Sequence, residues 1–257
     1  MINFRVIPSM LLIDDSVVKG KNFKNHTYVG DPINILKIYN KKEVDELLIS
    51  DIGINKNNKS INFDLIETIV DEAFMPIAYG GGINNLDDIN QLFNIGIEKV
   101  VLTTIAFNDP DLIQQASNRF GAQSIAVGID VKKDFLGRQH AYVKNGSINT
   151  KMSLLEYIDK LSDYSFGELI VNNIDREGTF SGIDLKIPDS IVKKLNIPLL
   201  ISGGTKDFND IEQMMGIKGL SGVIGGAIFT YYGKHRAVLP TYLSGENLEK
   251  INKVWEI

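Results

Sequence analysis

Short runs of apolar, β-branched residues punctuate the whole chain. They predict strands near Phe4–Ser9, Asp45–Ser50, Pro76–Tyr79, Lys99–Thr103, Ser124–Asp130, Glu168–Asn172, Pro198–Ser202 and Gly222–Gly225. Most are unbroken apolar runs, which is how a strand covered on both faces reads in a parallel sheet. Between them the period becomes helical. From Ile61 to Ala73, the residues Leu65, Ile66, Ile69, Val70 and Ala73 share one face. A second helix opens at Asn84 or Asn85 as cap, carries Leu86, Ile89, Leu92 and Phe93, and stops at Gly96. A third starts at Asn108 with Pro110 in its first turn and stops at Gly121. Strands alternating with helices over the full length predict an α/β fold with a parallel sheet. Eight strands suit a closed (β/α)8 barrel, with a doubly wound open sheet as the competing arrangement.

An internal repeat favours the barrel. Shifted by 122 residues, Glu46-Leu47 falls on Glu168-Leu169, Pro76 on Pro198 and Gly81-Gly82 on Gly203-Gly204. Asp88-Ile89 falls on Asp210-Ile211, Val101 on Val223 and Phe107 on Phe229, without gaps. Two superposable four-strand halves would close into one domain over 1–257, with half-barrels of about 1–122 and 123–257.

Composition narrows the chemistry. A net charge of −5 leaves no basic excess to neutralise phosphates, so nucleic acid is not expected as a partner. With no cysteine there can be no disulfide, thiolate metal site or cysteine nucleophile. The three histidines, His26, His140 and His235, lack metal-site spacing and receive no role. No metal or other cofactor is expected. No apolar run is long enough to span a membrane, and Met1–Met10 does not read as a secretory signal, so the cytoplasm is the expected location.

In a (β/α)8 barrel the active site lies at the C-terminal strand ends. Here strands three and seven end in Gly81-Gly82 and Gly203-Gly204, while strands four and eight end in Thr103-Thr104 and Gly226-Ala227. Glycine turns expose backbone N–H groups that can hold an anion without lysine. The repeat makes two such sites, suiting a ligand with a phosphate at each end; the alternative is that the glycines only make tight turns. Asp130, at the end of strand five, is a candidate general acid or base, or else a structural acceptor. The loop Asn172–Thr179 contains Asp175, Gly178 and Thr179 and is either a polar ligand contact or a solvated loop. The segment Lys132–Lys151 reads as a hairpin over the mouth, and Lys19 beside Gly20 lies on a polar loop after strand one. The C-terminal segment Asn247–Ile257, with Trp255, reads as a helix packed on the barrel.

Together, Arg5–Gly20, Gly30-Asp31-Pro32, Gly80–Ile83, Asp130, Ile174–Thr179 and Ser202–Gly204 resemble the cyclase subunit of imidazole glycerol phosphate synthase, over nearly the whole chain. The resemblance implies a lyase of histidine biosynthesis with a half-barrel repeat and two phosphate sites. It also implies a glutaminase partner on the N-terminal barrel face, sending ammonia through the barrel. Four charged residues ring the family's ammonia entrance, and the matching positions are Arg5, Glu46, Lys99 and Glu168; such charges could also simply pair with one another. Glutamine hydrolysis of that kind needs a cysteine nucleophile, so this chain would receive its ammonia.

Departures from the family are informative. It uses aspartates at the ends of strands one and five; Asp130 matches the second, but Leu11 stands at the first. Lys151 stands where the family tends to have glycine and Thr103 where it tends to have asparagine, both at expected substrate contacts. Divergent relatives occur in surface-polysaccharide (lipopolysaccharide) pathways, passing ammonia to a sugar amidotransferase. Loss of the strand-one acid therefore raises a conduit or scaffold role as the alternative to catalysis. A third reading, a phosphosugar aldose–ketose isomerase, is disfavoured by the same leucine and by the charged floor.

Overall fold

The computed structural model describes residues 4–54, 59–243 and 245–253. Its centre is a closed parallel barrel of β1 (Arg5–Ile13), β2 (Leu47–Asp51), β3 (Ile77–Gly80), β4 (Lys99–Leu102), β5 (Ile125–Lys133), β6 (Glu168–Asn173), β7 (Leu199–Ser202) and β8 (Gly222–Gly225). Each strand pairs in parallel with the next, and β8 returns to β1 through the register Arg5↔Gly222 to Pro8↔Gly225. That closure excludes the open doubly wound sheet. The helices packed outside are α1 (Pro32–Lys41), α2 (Phe63–Asp71), α3 (Leu86–Asn94), α4 (Asp111–Phe120), α5 (Leu154–Leu161), α6 (Lys186–Ile191), α7 (Phe208–Met215) and α8 (Glu246–Lys253).

The unbroken apolar runs have a simple cause: both faces of each strand are buried. Ile7, Leu48, Ala78, Val101, Ala126, Ile170, Leu200 and Ile224 point inward, one from each strand, and make a separate inner cluster. Their neighbours Val6, Leu47, Ile77, Val100, Ile125, Leu169, Leu199 and Val223 point outward and join the larger core beneath the helices.

This alternation corrects the gapless repeat. Leu48 and Ile170, and Ala78 and Leu200, are inward pairs at the 122-residue shift. Val101 points inward, however, whereas Val223 points outward. Its inward counterpart is Ile224, one residue further on, because a one-residue slip turns a strand side chain to the opposite face.

Local signals set the helix starts. Asn62 accepts from the Leu65 N–H at 3.2 Å and Asn85 from the Asp88 N–H at 2.9 Å, capping α2 and α3. The third predicted helix is α4, which Gly121 ends as expected, and a separate short turn at Thr104–Asn108 precedes it. Pro110 falls between them, since a residue without an N–H begins a helix but cannot continue one.

Two β-flaps rise over the C-terminal strand ends. β1 runs past its expected end and pairs antiparallel with Ser16–Lys21, which pairs with Lys24–Gly30. β5 likewise pairs with Gln139–Val143, and that strand with Ile148–Ser153, matching the expected Lys132–Lys151 hairpin. The expected C-terminal helix is α8, while Trp255 lies outside the described residues. Among the described residues no helix is long and apolar enough to cross a membrane.

Candidate active site

A cavity of about 680 Å³ opens at the C-terminal strand ends. Its bottom is apolar, formed by Leu48, Val101, Ile170 and Ile224 of the inner ring. One strand repeat higher the lining becomes small and polar: Ser9, Ser50, Gly80, Gly128, Asn172 and Ser202. Above these stand Leu11, Asp51, Thr103, Thr104 and Asp130, with Lys24, His26, Lys144 and Asn145 contributed by the flaps.

Asp130 lines the cavity, and Asn172 Nδ2 donates to its Oδ1 at 3.3 Å. Burial is the main reason its carboxyl is pushed up to about 7; the nearby Glu177 charge adds to the rise and the Asn172 hydrogen bond opposes it. A group titrating there can give or take a proton at neutral pH.

Asp51, which the sequence reading did not single out, ends β2 on the cavity wall. Burial raises its pKa, and the Gly53 N–H donates to its Oδ1 at 3.0 Å. The available signal was the one used for Asp130: an acid closing an apolar strand. Glu177 was also missed as an individual residue. It is buried and lines both the main cavity and a small side cavity.

The glycine turns divide between these cavities. Gly81, Gly82, Thr103 and Thr104 line the large one. Gly178, Gly203, Gly204, Gly226 and Ala227 line the small one, where the Thr205 hydroxyl is buried without a hydrogen-bond partner. Gly81 (φ +131°) packs against the Asp51 carbonyl and Gly203 (φ +98°) against the Asn173 carbonyl, so any Cβ would collide with backbone. The two turns are therefore the same close approach in each half.

Lys19 is 1% exposed and donates to Ser9 Oγ at 3.3 Å, with its ammonium against Gly226. Burial lowers its pKa, and the Glu177 charge draws it partly back.

Three expected contacts are placed elsewhere. Asp175 does not line either cavity: its carboxylate accepts from the Lys133 N–H at 2.8 Å. The Thr179 hydroxyl is directed into its own loop, donating to the Arg176 carbonyl at 2.7 Å. Both side chains hold the loop after β6 in shape. Lys151 is exposed on the outer flap strand and lines neither cavity, and its φ of +66° is a conformation that glycine adopts without strain.

At the opposite end of the barrel, Arg5, Glu46, Lys99 and Glu168 form a ring of alternating charge. Arg5 bonds Glu46 at 2.8 Å and also Glu168; Lys99 bonds Glu168 at 2.8 Å and approaches Glu46 to 3.6 Å. Burial lowers the Lys99 pKa, with the Glu46 charge opposing.

A closed (β/α)8 barrel with one deep cavity at its C-terminal strand ends, and a buried acid in it, is the architecture of a barrel enzyme. More narrowly, a family model described as Histidine biosynthesis protein matches residues 5–236, and the chain belongs to that family. A relative from Pseudomonas aeruginosa, provisionally named imidazole glycerol phosphate synthase subunit hisF2, is 40% identical over 242 residues, 94% of this chain and 96% of its own. One from Leptospira borgpetersenii, also provisionally named as subunit HisF, is 36% identical over 98% of this chain and 99% of its own. A Streptococcus mutans relative, named imidazole glycerol phosphate synthase subunit HisF, is 32% identical over 90% of this chain and 92% of its own.

Proposed function

We propose that the chain is the cyclase-type subunit of a glutamine amidotransferase complex in the cytoplasm. It receives ammonia at the N-terminal end of the barrel and adds it to a substrate phosphorylated at both ends, as an imidazole glycerol phosphate synthase does. The observation that carries this reading is the pairing of the two barrel ends. The charge ring of Arg5, Glu46, Lys99 and Glu168 lies at one end and the acid-bearing cavity at the other, with an apolar ring between. An apolar ring suits a small neutral molecule, because losing hydration costs ammonia little and ammonium much. The absence of cysteine points to a separate glutaminase as the source. The glycine turns at Gly81-Gly82 and Gly203-Gly204 support a phosphate at each end of the substrate.

The test supplies ammonium chloride and the bis-phosphate substrate of imidazole glycerol phosphate synthase. Turnover with ammonium alone, and with glutamine only when a glutaminase is added, is the expected result. Absence of ammonium-supported turnover overturns the reading.

One observation favours a second role. Leu11 lines the cavity at the end of β1, where the family has an acid, and cannot carry a proton. In that role the barrel passes ammonia onward to a sugar amidotransferase. Turnover appearing only in Leu11→Asp would favour it.

A further inference from the structure

Adding ammonia to a carbonyl carbon and expelling the oxygen as water needs two proton carriers, one giving and one taking. We propose that Glu177 is the second proton-transfer residue of the cavity, partnering Asp130. This rests on the ammonia-using reading above.

Four observations converge on Glu177. It lines both the main cavity and the side cavity, so one residue borders both the space that holds Asp130 and the glycine turns at Gly203-Gly204. Its backbone is fixed: its N–H donates to the Asn173 carbonyl at 3.0 Å, and its carbonyl accepts from the Asn22 N–H at 2.9 Å. Among the described residues nothing donates a hydrogen bond to its carboxylate, which leaves the oxygens available to a ligand. Finally, its Oε1 lies against Gly226 beside the buried Lys19 ammonium.

These neighbours divide the labour. The Glu177 charge acts on both neighbours: it helps to keep Asp130 protonated and draws the Lys19 pKa partly back up. A carboxyl kept protonated by burial, with a second carboxyl on the same cavity, is the arrangement an acid and base pair needs. Leu11, on β1 across the mouth, offers neither.

The step balances. As the ammonia lone pair forms the C–N bond, the C=O π pair moves to oxygen. The Glu177 carboxylate takes one proton from nitrogen, and the Asp130 carboxyl gives one to oxygen, leaving a neutral amino alcohol. To lose water, Glu177 returns its proton to the departing hydroxyl. Asp130 takes a proton from nitrogen as the C=N bond forms. Imine and water leave, and both side chains are back in their starting states.

Glu177→Gln, Glu177→Asp and the wild type are compared at saturating ammonium. Glu177→Gln should lose ~10²–10⁴-fold in kcat while KM for the phosphorylated substrate changes only a few-fold. Glu177→Asp should recover part of the rate, and Glu177→Gln should lose the limb of the pH profile that reports the base. An activity-independent reading comes from carbon-13 NMR titration: the Asp130 carboxyl should titrate at lower pH in Glu177→Gln. Should the wild type turn over, and Glu177→Gln match it within threefold with the same pH profile, Glu177 is not a proton carrier and the ammonia-using reading still stands. An unmoved Asp130 titration likewise refutes the pairing. A wild type inactive with ammonium removes both.

Discussion

Asn172 and Asp130 sit side by side in register on neighbouring strands, and the Asn172 amide donates to the Asp130 carboxylate. That bond favours the ionised acid and partly offsets burial. Asn172→Leu removes it while keeping the volume. The Asp130 titration should then move upward from about 7, read by carbon-13 NMR of the carboxyl group. A downward shift would mean that the bond is not made.

Asp130 also ties stability to pH. Its carboxyl is raised from 3.8 to about 7 in the folded protein. The folded state therefore keeps a proton that the unfolded chain releases near pH 4. The stability this gives is full below about pH 4 and is lost as pH rises through about 7. Asp130→Asn cannot ionise and escapes that loss. Urea unfolding at pH 8 should find it more stable than wild type by up to about 4 kcal/mol, with the two converging near pH 4. Its ammonium-supported kcat should fall by ~10²–10⁴-fold over the same range.

Glu168 receives both cations of the floor ring, and its side chain is 4% exposed. Glu168→Gln keeps the shape but leaves Arg5 and Lys99 sharing Glu46 alone. A cost of about 3 kcal/mol is expected from chemical denaturation, because two half-buried cations lose a common counter-charge. A cost below about 0.5 kcal/mol would show the ring to be well solvated.

The flaps offer a gain. Lys151 is exposed at φ +66°, a conformation that glycine adopts without strain. Lys151→Gly should raise stability by about 0.5–1 kcal/mol, visible as a higher Tm. A fall in Tm would show that the flap depends on the lysine side chain.

Gly203 and Gly137 both have positive φ but differ in surroundings. A Cβ on Gly203 would lie 2.6 Å from the Asn173 carbonyl oxygen, whereas one on Gly137 meets nothing within 4 Å. Gly203→Ala should cost about 3 kcal/mol and abolish binding of the phosphorylated substrate measured by calorimetry. Gly137→Ala should cost about 1 kcal/mol and leave binding intact. Equal effects would mean that the β7 turn does not hold the ligand.

The barrel was legible in the sequence because every strand is buried on two faces, which writes long apolar runs such as Ile125–Ile129 and Leu169–Val171. The first flap was not. Its hairpin turns at Asp14-Asp15, both with positive φ, and two aspartates carry none of the glycine signal that marks such turns. Asp175 and Thr179 read as ligand contacts because polar loop residues look alike in sequence; only the fold shows which ones spend their hydrogen bonds on the loop itself.

The sequence by itself determined the period of the strands, the positions of the glycine turns, the acid at the end of β5 and the lack of a thiol. Tertiary structure alone decided which distant residues meet. Arg5 and Glu168 are separated by 163 residues and touch because eight strands close on themselves. Glu177 and Lys19 come together at Gly226 because the loop after β6 and the first flap fold over the same rim. Strand period fixes which face a side chain takes, whereas barrel closure fixes its neighbours, and the strength of a charge or a proton site depends on those neighbours.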